Sequence, residues 1–301
     1  MNNKETYRRI CEAEGDRIPL FQQYWWWDTV CATKPWDVLI SKSNGNIKGG
    51  MPYLDCRKMG LRYSLMPQLT MFTGPWLADP ADSSTLHDLY SQLLALRPIV
   101  YVGRLSPAQS SGDYGISDFK FQVSTHYTYR FDPIRPLEEL MAGASQLRRR
   151  DYHRLNEALT IDTNVAPCDF ADLHAAYIAS KRRQDLLPHE FIVRTCTAAI
   201  ERQHGLIVGA RAADRTLKAA LFTAYDAECA YILMLARSTD APRNAMAFLI
   251  WRTIELMSRH SRIFDFEGSM EPGVEEYYSS FGAKRTDMLQ LTLNRLPFIK
   301  I

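Results

Sequence analysis

The chain has 301 residues, 46% of them hydrophobic and 23% charged, with a formal net charge of +2. That length predicts about two domains, and the composition is that of an ordinary globular protein rather than a disordered or fibrous one. The near-zero charge argues against a general nucleic-acid binder, although 148–154 is locally basic.

The first nine residues are polar and have no apolar run, so no signal peptide is expected, and no apolar stretch is long enough to span a bilayer. The six cysteines are scattered without metal-like spacing, which predicts reduced thiols and a cytoplasmic setting. The seven histidines form no HExxH or paired-ligand pattern, so no metal site is expected.

In chain order, 21–31 reads as a helix that is apolar almost all round and carries Trp25, Trp26 and Trp27. These rings are expected to be core or interface anchors, with ligand stacking as the alternative. A strand at 36–41, the turn Ser43-Asn44-Gly45-Asn46, and strands at 47–56 and 61–66 follow. The stretch 67–76 reads as an irregular loop, 83–96 as a helix with a leucine side, and 99–102 and 119–131 as strands. Asp132-Pro133 and Arg135-Pro136 break the pattern and mark the expected boundary, giving domains 1–133 and 134–301.

Beyond it, 137–159 reads as mostly helical. Tyr152, Leu155 and Leu159 form its inner stripe, and Arg150, His153, Arg154 and Glu157 the opposite one. That charged stripe is either a solvated face or a contact for phosphate or carboxylate groups. A strand at 161–166 and helices at 169–184 and 189–203 come next. Strands at 205–213, 216–226 and 228–237 have continuous apolar centres, as in strands covered on both faces. The helix 241–259 leads to Ile263-Phe264-Asp265-Phe266-Glu267-Gly268-Ser269-Met270, read as a deep strand with Phe264 and Phe266 on one face and Asp265 and Glu267 on the other. Buried carboxylates must be paired, bonded or face a cleft, and Gly268 and Ser269 are expected to leave backbone N–H groups open to a ligand. The alternative is an acid that caps the next helix, 271–281, before a last strand at 287–293.

The second half thus reads β-α-α-β-β-β-α-β-α-β, and the first half a degenerate version of it. This order resembles the GNAT acyltransferase superfamily. Asp265-Phe266-Glu267-Gly268-Ser269 with Tyr277-Tyr278-Ser279-Ser280-Phe281-Gly282-Ala283 resembles the ending of its FemAB-like branch. Residues 249–255 resemble the helix before that ending, 146–158 its basic helix, and Gln68-Leu69-Thr70 with Gly74-Pro75-Trp76 a loop of bacterial methicillin-resistance-like proteins.

The resemblance implies an α/β (α+β) fold of two tandem GNAT-like domains, each a mixed, mostly antiparallel sheet flanked by helices, with a cleft between them. It implies an N-acyltransferase that moves an acyl or aminoacyl group to an amine, such as a small molecule, a peptide or a cell-wall peptide precursor. The donor would be acyl-CoA, with its pyrophosphate at the N-terminus of the helix after the fourth strand, or aminoacyl-tRNA. Here the corresponding loop, 238–246, lacks the usual glycines, and Asp240 adds negative charge. The alternative is a catalytically silent GNAT-fold module that binds a peptide or sugar-peptide.

Acyl transfer needs a neutral amine, oxyanion donors and a protonated leaving group. Glu267 is assigned as the base and Tyr277, or its neighbour Tyr278, as the donor to the leaving group. Backbone N–H groups at Arg237 and Ser238 are assigned to the acyl carbonyl. Arg150, Arg154 and Lys284 are expected to hold anionic parts of the substrates, with Tyr231, Arg243, Asn244, Gly268 and Ser269 completing the binding set. Tyr277 with Phe281 at i and i+4 has the alternative of simple helix packing.

Overall fold

The structure is a computed structural model that describes residues 2–111, 116–155, 158–181, 187–268 and 272–296. Contacts divide the chain into two compact units, Met1–Tyr127 with Asp287–Ile301, and Thr128–Thr286.

In the first unit, α1 (Asn3–Glu14) starts at Asn2, whose side chain accepts the Glu5 N–H, and ends at Gly15 with φ +53°. The 3-10 turn Leu20–Gln22 precedes α2 (Tyr24–Val30). All three α2 tryptophans are buried; Trp26 Nε1 donates to Thr70 Oγ1 at 3.0 Å and Trp27 Nε1 to the Phe21 carbonyl at 2.8 Å. They are core anchors, and the buried indole N–H groups of Trp26 and Trp27 have their acceptors.

β1 (Trp36–Ser43) and β2 (Asn46–Leu54) form the expected hairpin, with Asn44 and Gly45 at φ +51° and +78°. β3 (Cys56–Lys58) and β4 (Leu61–Ser64) form a second, shorter one, and β5 (Trp76–Leu77) joins β2. In α3 (Ser83–Ala95), Leu86, Leu89 and Leu93 face the core at helical spacing, packed with Met51, Tyr53 and Tyr90. β6 (Val100–Arg104) runs parallel to β4, and the short α4 (Pro107–Ser110) follows.

β7 (Gln122–Phe131) carries the chain into the second unit. There α5 (Leu137–Gly143) and α6 (Gln146–Leu155) replace the single helix expected. β8 (Thr160–Asp162), α7 (Pro167–Ser180) and α8 (His189–Glu201) lead to β9 (Gly205–Arg211), β10 (Leu217–Tyr225) and β11 (Cys229–Arg237). The apolar centres of β10 and β11 are buried on both faces, as read from their composition.

α9 (Ala245–Met257) then crosses over, as a parallel neighbour requires, so that β12 (Ile263–Asp265) lies parallel to β11 and antiparallel to β7. The sheet order here is β7-β12-β11-β10-β9-β8. The β11–β12 pairing spans only three residue pairs, Cys229↔Ile263 to Tyr231↔Asp265, and β11 runs on to Arg237. α10 (Pro272–Ser279) and β13 (Lys284–Asn294) complete the chain. The last strand, expected with the second half, falls mainly to the first unit because 290–294 pair antiparallel with β6.

The second unit's core is aromatic. Phe266 packs against Phe131, Phe264, Tyr278 and Phe281 with ring centroids 5.1–5.7 Å apart, and Trp251 lies 5.1 Å from Phe281.

Candidate active site

α6 begins where the chain breaks at Ala144 and Ser145. The Ser145 N–H donates to the Ser280 carbonyl at 2.9 Å, and Trp251 Nε1 donates to the Arg148 carbonyl at 3.3 Å. These bonds set α6 against α9 and the end of α10. On α6, Leu147, Arg150, Asp151 and Arg154 share one face at i, i+3, i+4, i+7 spacing. With Arg148, they line a cavity of ≈ 660 Å³ that is completed by Arg237 at the end of β11, Arg243, Asn244 and Ala247 at the start of α9, and Tyr277 of α10.

The lining holds five arginines and one carboxylate. That carboxylate, Asp151, is buried. It accepts from Arg148 Nη1 at 2.8 Å and from Asn244 Nδ2 at 3.1 Å. Arg148 is further fixed by Nε to Ser280 Oγ at 2.9 Å and lies 4.7 Å above the Tyr277 ring, a cation–π contact. The other four, Arg150, Arg154, Arg237 and Arg243, have no ion-pair partner among the described residues.

Asn244, at the N-cap of α9, makes no side-chain cap bond, because its amide is turned to Asp151. The Ala245 N–H is taken by the Pro242 carbonyl at 3.0 Å, and the positive end of this 13-residue helix lies beside the surplus arginines with no side-chain cap. Planar guanidinium forks at a helix N-terminus form an anion site suited to phosphate or carboxylate. Burial pushes the Tyr277 hydroxyl well above its ordinary value, with Arg148 pulling against it, so the hydroxyl stays protonated at neutral pH.

The β12 acids do not share a face as expected. The strand ends at Asp265, and Glu267 turns away at φ +49°. Asp265 is fully buried. It accepts from Thr128 Oγ1 and from the Glu267 N–H at 2.8 Å, and Arg130 Nε lies 2.9 Å from its second oxygen. This is a close charge contact, off the line of a hydrogen bond for both atoms. Burial pushes the Asp265 carboxyl up, against the pull of Arg130, Thr128 and that N–H. The Gly268 N–H donates to Thr128 Oγ1 at 2.9 Å. Of the Gly268 and Ser269 N–H groups expected to await a ligand, that of Gly268 is thus consumed by the hydroxyl that serves the buried acid.

Ser238 also differs from expectation. Its N–H goes to the Lys218 carbonyl at 2.9 Å and its hydroxyl to Asp240 at 2.6 Å, so its amide is not available to an acyl carbonyl. Asp240 pairs with Lys218 Nζ at 2.6 Å, and this hydrogen bond holds its carboxyl below the usual range. The negative charge expected near the donor phosphates is thus already paired.

Arg150, Arg154, Arg237, Arg243, Asn244 and Tyr277 are brought together in the cavity. Glu267, half-buried, lies outside that lining but close to Tyr278, where its charge adds to the upward push of burial on the hydroxyl. Tyr231 is buried opposite Asp265, and Lys284 is exposed at the start of β13. Ser269, and Asn156 and Glu157 of the basic helix, lie outside the described residues. The sequence reading missed Leu147, Asp151 and Ala247 as lining residues and noted Arg148 only as part of the basic run. An acid at i+3 from Arg148, inside a run of arginines, was the available signal.

No family model and no curated protein matches the sequence. Solved structures do match the fold. FemX superposes with a TM-score of 0.73 at 10% identity, over 94% of this chain and 95% of that one. The fold is GNAT-like and resembles that of FemX. The C-terminal domain of a putative lysylphosphatidylglycerol synthetase from Agrobacterium fabrum gives 0.64 at 12% identity, over 97% and 93% of the two chains. A tandem GNAT protein from the clavulanic acid biosynthesis pathway gives 0.51 at 13%, over 88% and 85%. Identities this low speak for the GNAT-like fold and leave the chemistry to the site.

Proposed function

We propose that this protein transfers an acyl or aminoacyl group from an anionic donor to an amine. The carrying observation is the surplus of arginines at the N-terminus of α9, which has no side-chain cap, beside the stretch of β11 that runs beyond its three-residue pairing with β12. Arg150, Arg154, Arg237 and Arg243 hold donor phosphates, from acyl-CoA or from aminoacyl-tRNA. The acceptor amine attacks the acyl carbon, an amide bond forms, and the bond to the donor sulfur or oxygen breaks. Glu267 takes the proton lost by the amine, directly or through water, and Tyr277 gives one to the leaving group. The related names support this reading, since lysylphosphatidylglycerol synthetase and a tandem GNAT protein are among the structural neighbours.

A second reading, a silent module that binds a peptide or sugar-peptide, is favoured by one observation. The loop before α9 has no glycine, and the Ser238 and Gly268 amides are already bonded.

Thermal shift with acetyl-CoA and free CoA tests the donor. A ligand at ~100 times its dissociation constant stabilises the folded state by about 2.7 kcal/mol. A clear shift with both identifies a CoA donor, and a shift only with charged tRNA identifies the other. Neither shift leaves the silent module. With an acceptor in hand, Glu267→Gln is expected to lower kcat by about 10²–10⁴-fold; full turnover by that variant removes Glu267 from the role of base.

A further inference from the structure

The β3–β4 hairpin of the first unit has an unusual tip. Its pairs are Cys56↔Tyr63, Arg57↔Arg62 and Lys58↔Leu61, so Met59 and Gly60 form a two-residue turn. Their φ values are +53° and +78°, nearly those of Asn44 and Gly45 in the β1–β2 hairpin. That geometry favours asparagine or glycine at the first turn position, and a long unbranched side chain there is unfavourable. Here the position holds methionine, and Met59 is 93% exposed, the most exposed large hydrophobic residue among those described. Leu61 and Leu65 are also partly exposed nearby. An apolar side chain in a disfavoured conformation, fully in water, gains nothing within the fold.

Charge decides what the tip fits. Arg57 and Lys58, next to it, are exposed, and no carboxylate pairs with either among the described residues. The third cation, Arg62, is engaged by Asp55 at 2.6 Å and by the Leu96 carbonyl at 3.1 Å. A two-residue turn offers far less than the roughly 800 Å² per partner of a stable protein interface. It does match a lipid surface, where a few apolar side chains enter the acyl boundary and flanking cations meet anionic headgroups. No helix among the described residues is long and apolar enough to cross a membrane, so attachment through such a tip would be peripheral.

We propose that the Met59 hairpin is a docking tip that seats this protein on an anionic phospholipid surface. The tip is built in the first unit and is independent of the transfer reading, whose residues lie in the second.

Flotation of the full chain tests it, with vesicles of phosphatidylcholine alone or with about a quarter phosphatidylglycerol. The chain is expected to float with the anionic vesicles, and less so with neutral ones or at high salt. Met59→Asn is expected to lower that partition about tenfold, from the loss of one buried apolar side chain. This variant changes no charge, so its loss cannot come from the arginine cavity. It suits the turn, so its melting temperature should equal or exceed that of the original chain. Replacing Arg57 and Lys58 by glutamine should cost about fivefold for each cation. The proposal is overturned if the unaltered chain stays at the bottom of the gradient, if it floats equally with both vesicles, or if Met59→Asn floats as well as it does.

Discussion

Two of the arginine–carboxylate arrangements in the second unit, each around a buried acid, differ in one respect. At β12, a single arginine faces a single buried acid, Thr128 and a backbone N–H bond one oxygen of that acid, and no charge is left over. In the cavity, Asp151 is likewise satisfied, by Arg148 and Asn244, yet four more arginines surround it. A matched pair is bound into the fold, whereas a surplus of one sign invites a counter-charge from outside. Asp265, one of the two acids expected to be paired, bonded or left facing a cleft, thus finds its partners within the fold. Arg150 and Arg154, whose stripe reads as either a solvated face or an anion contact, line the cavity.

The largest break in this comparison comes from the matched pair. Arg130→Ala strands the Asp265 carboxylate in the core and is expected to cost about 3–5 kcal/mol of stability, read by urea denaturation. A loss below ~1 kcal/mol would mean that the pair is hydrated or dispensable. The surplus arginines should behave in the opposite way. Arg150→Gln with Arg154→Gln should leave unfolding within about 0.5 kcal/mol of the original, because both are exposed and have no ion-pair partner among the described residues. The same double variant should weaken donor binding by roughly 10–100-fold per lost charged contact, measured by titration calorimetry with whichever donor gives a thermal shift. Unchanged donor affinity would move the anion site elsewhere.

The regular elements were legible where local chemistry decides them. Asn44-Gly45 announced its hairpin, the apolar centres of β10 and β11 announced a covered sheet, and the tryptophans of α2 read correctly as core. The site was legible only in parts. Arg150 and Arg154 stood out by helical spacing, but that they share one cavity with Arg237, Arg243 and Tyr277 depends on how β11, α9 and α10 converge. The break between α5 and α6 was signalled by Gly143 and by Ser145, whose hydroxyl accepts the Arg148 N–H at 3.4 Å, although the run of helix-forming residues on either side reads as one helix; a tertiary bond to Ser280 fixes that corner. The fate of Asp265 was illegible for a similar reason. Its hydroxyl partner, Thr128, lies 137 residues away in sequence, and no pattern near 265 points to it.

One contact gives the second unit a built-in optical probe. Five of the six tryptophans lie at positions 25, 26, 27, 36 and 76, and the sixth, Trp251, is the only one between 128 and 286. Its indole N–H is bonded to the carbonyl of Arg148, the residue that clasps Asp151 at the wall of the cavity. Emission from this one ring reports on α6 from within, so the part of the spectrum that disappears in Trp251→Phe is where an anion settling among the arginines would be read as a colour change, without any label attached.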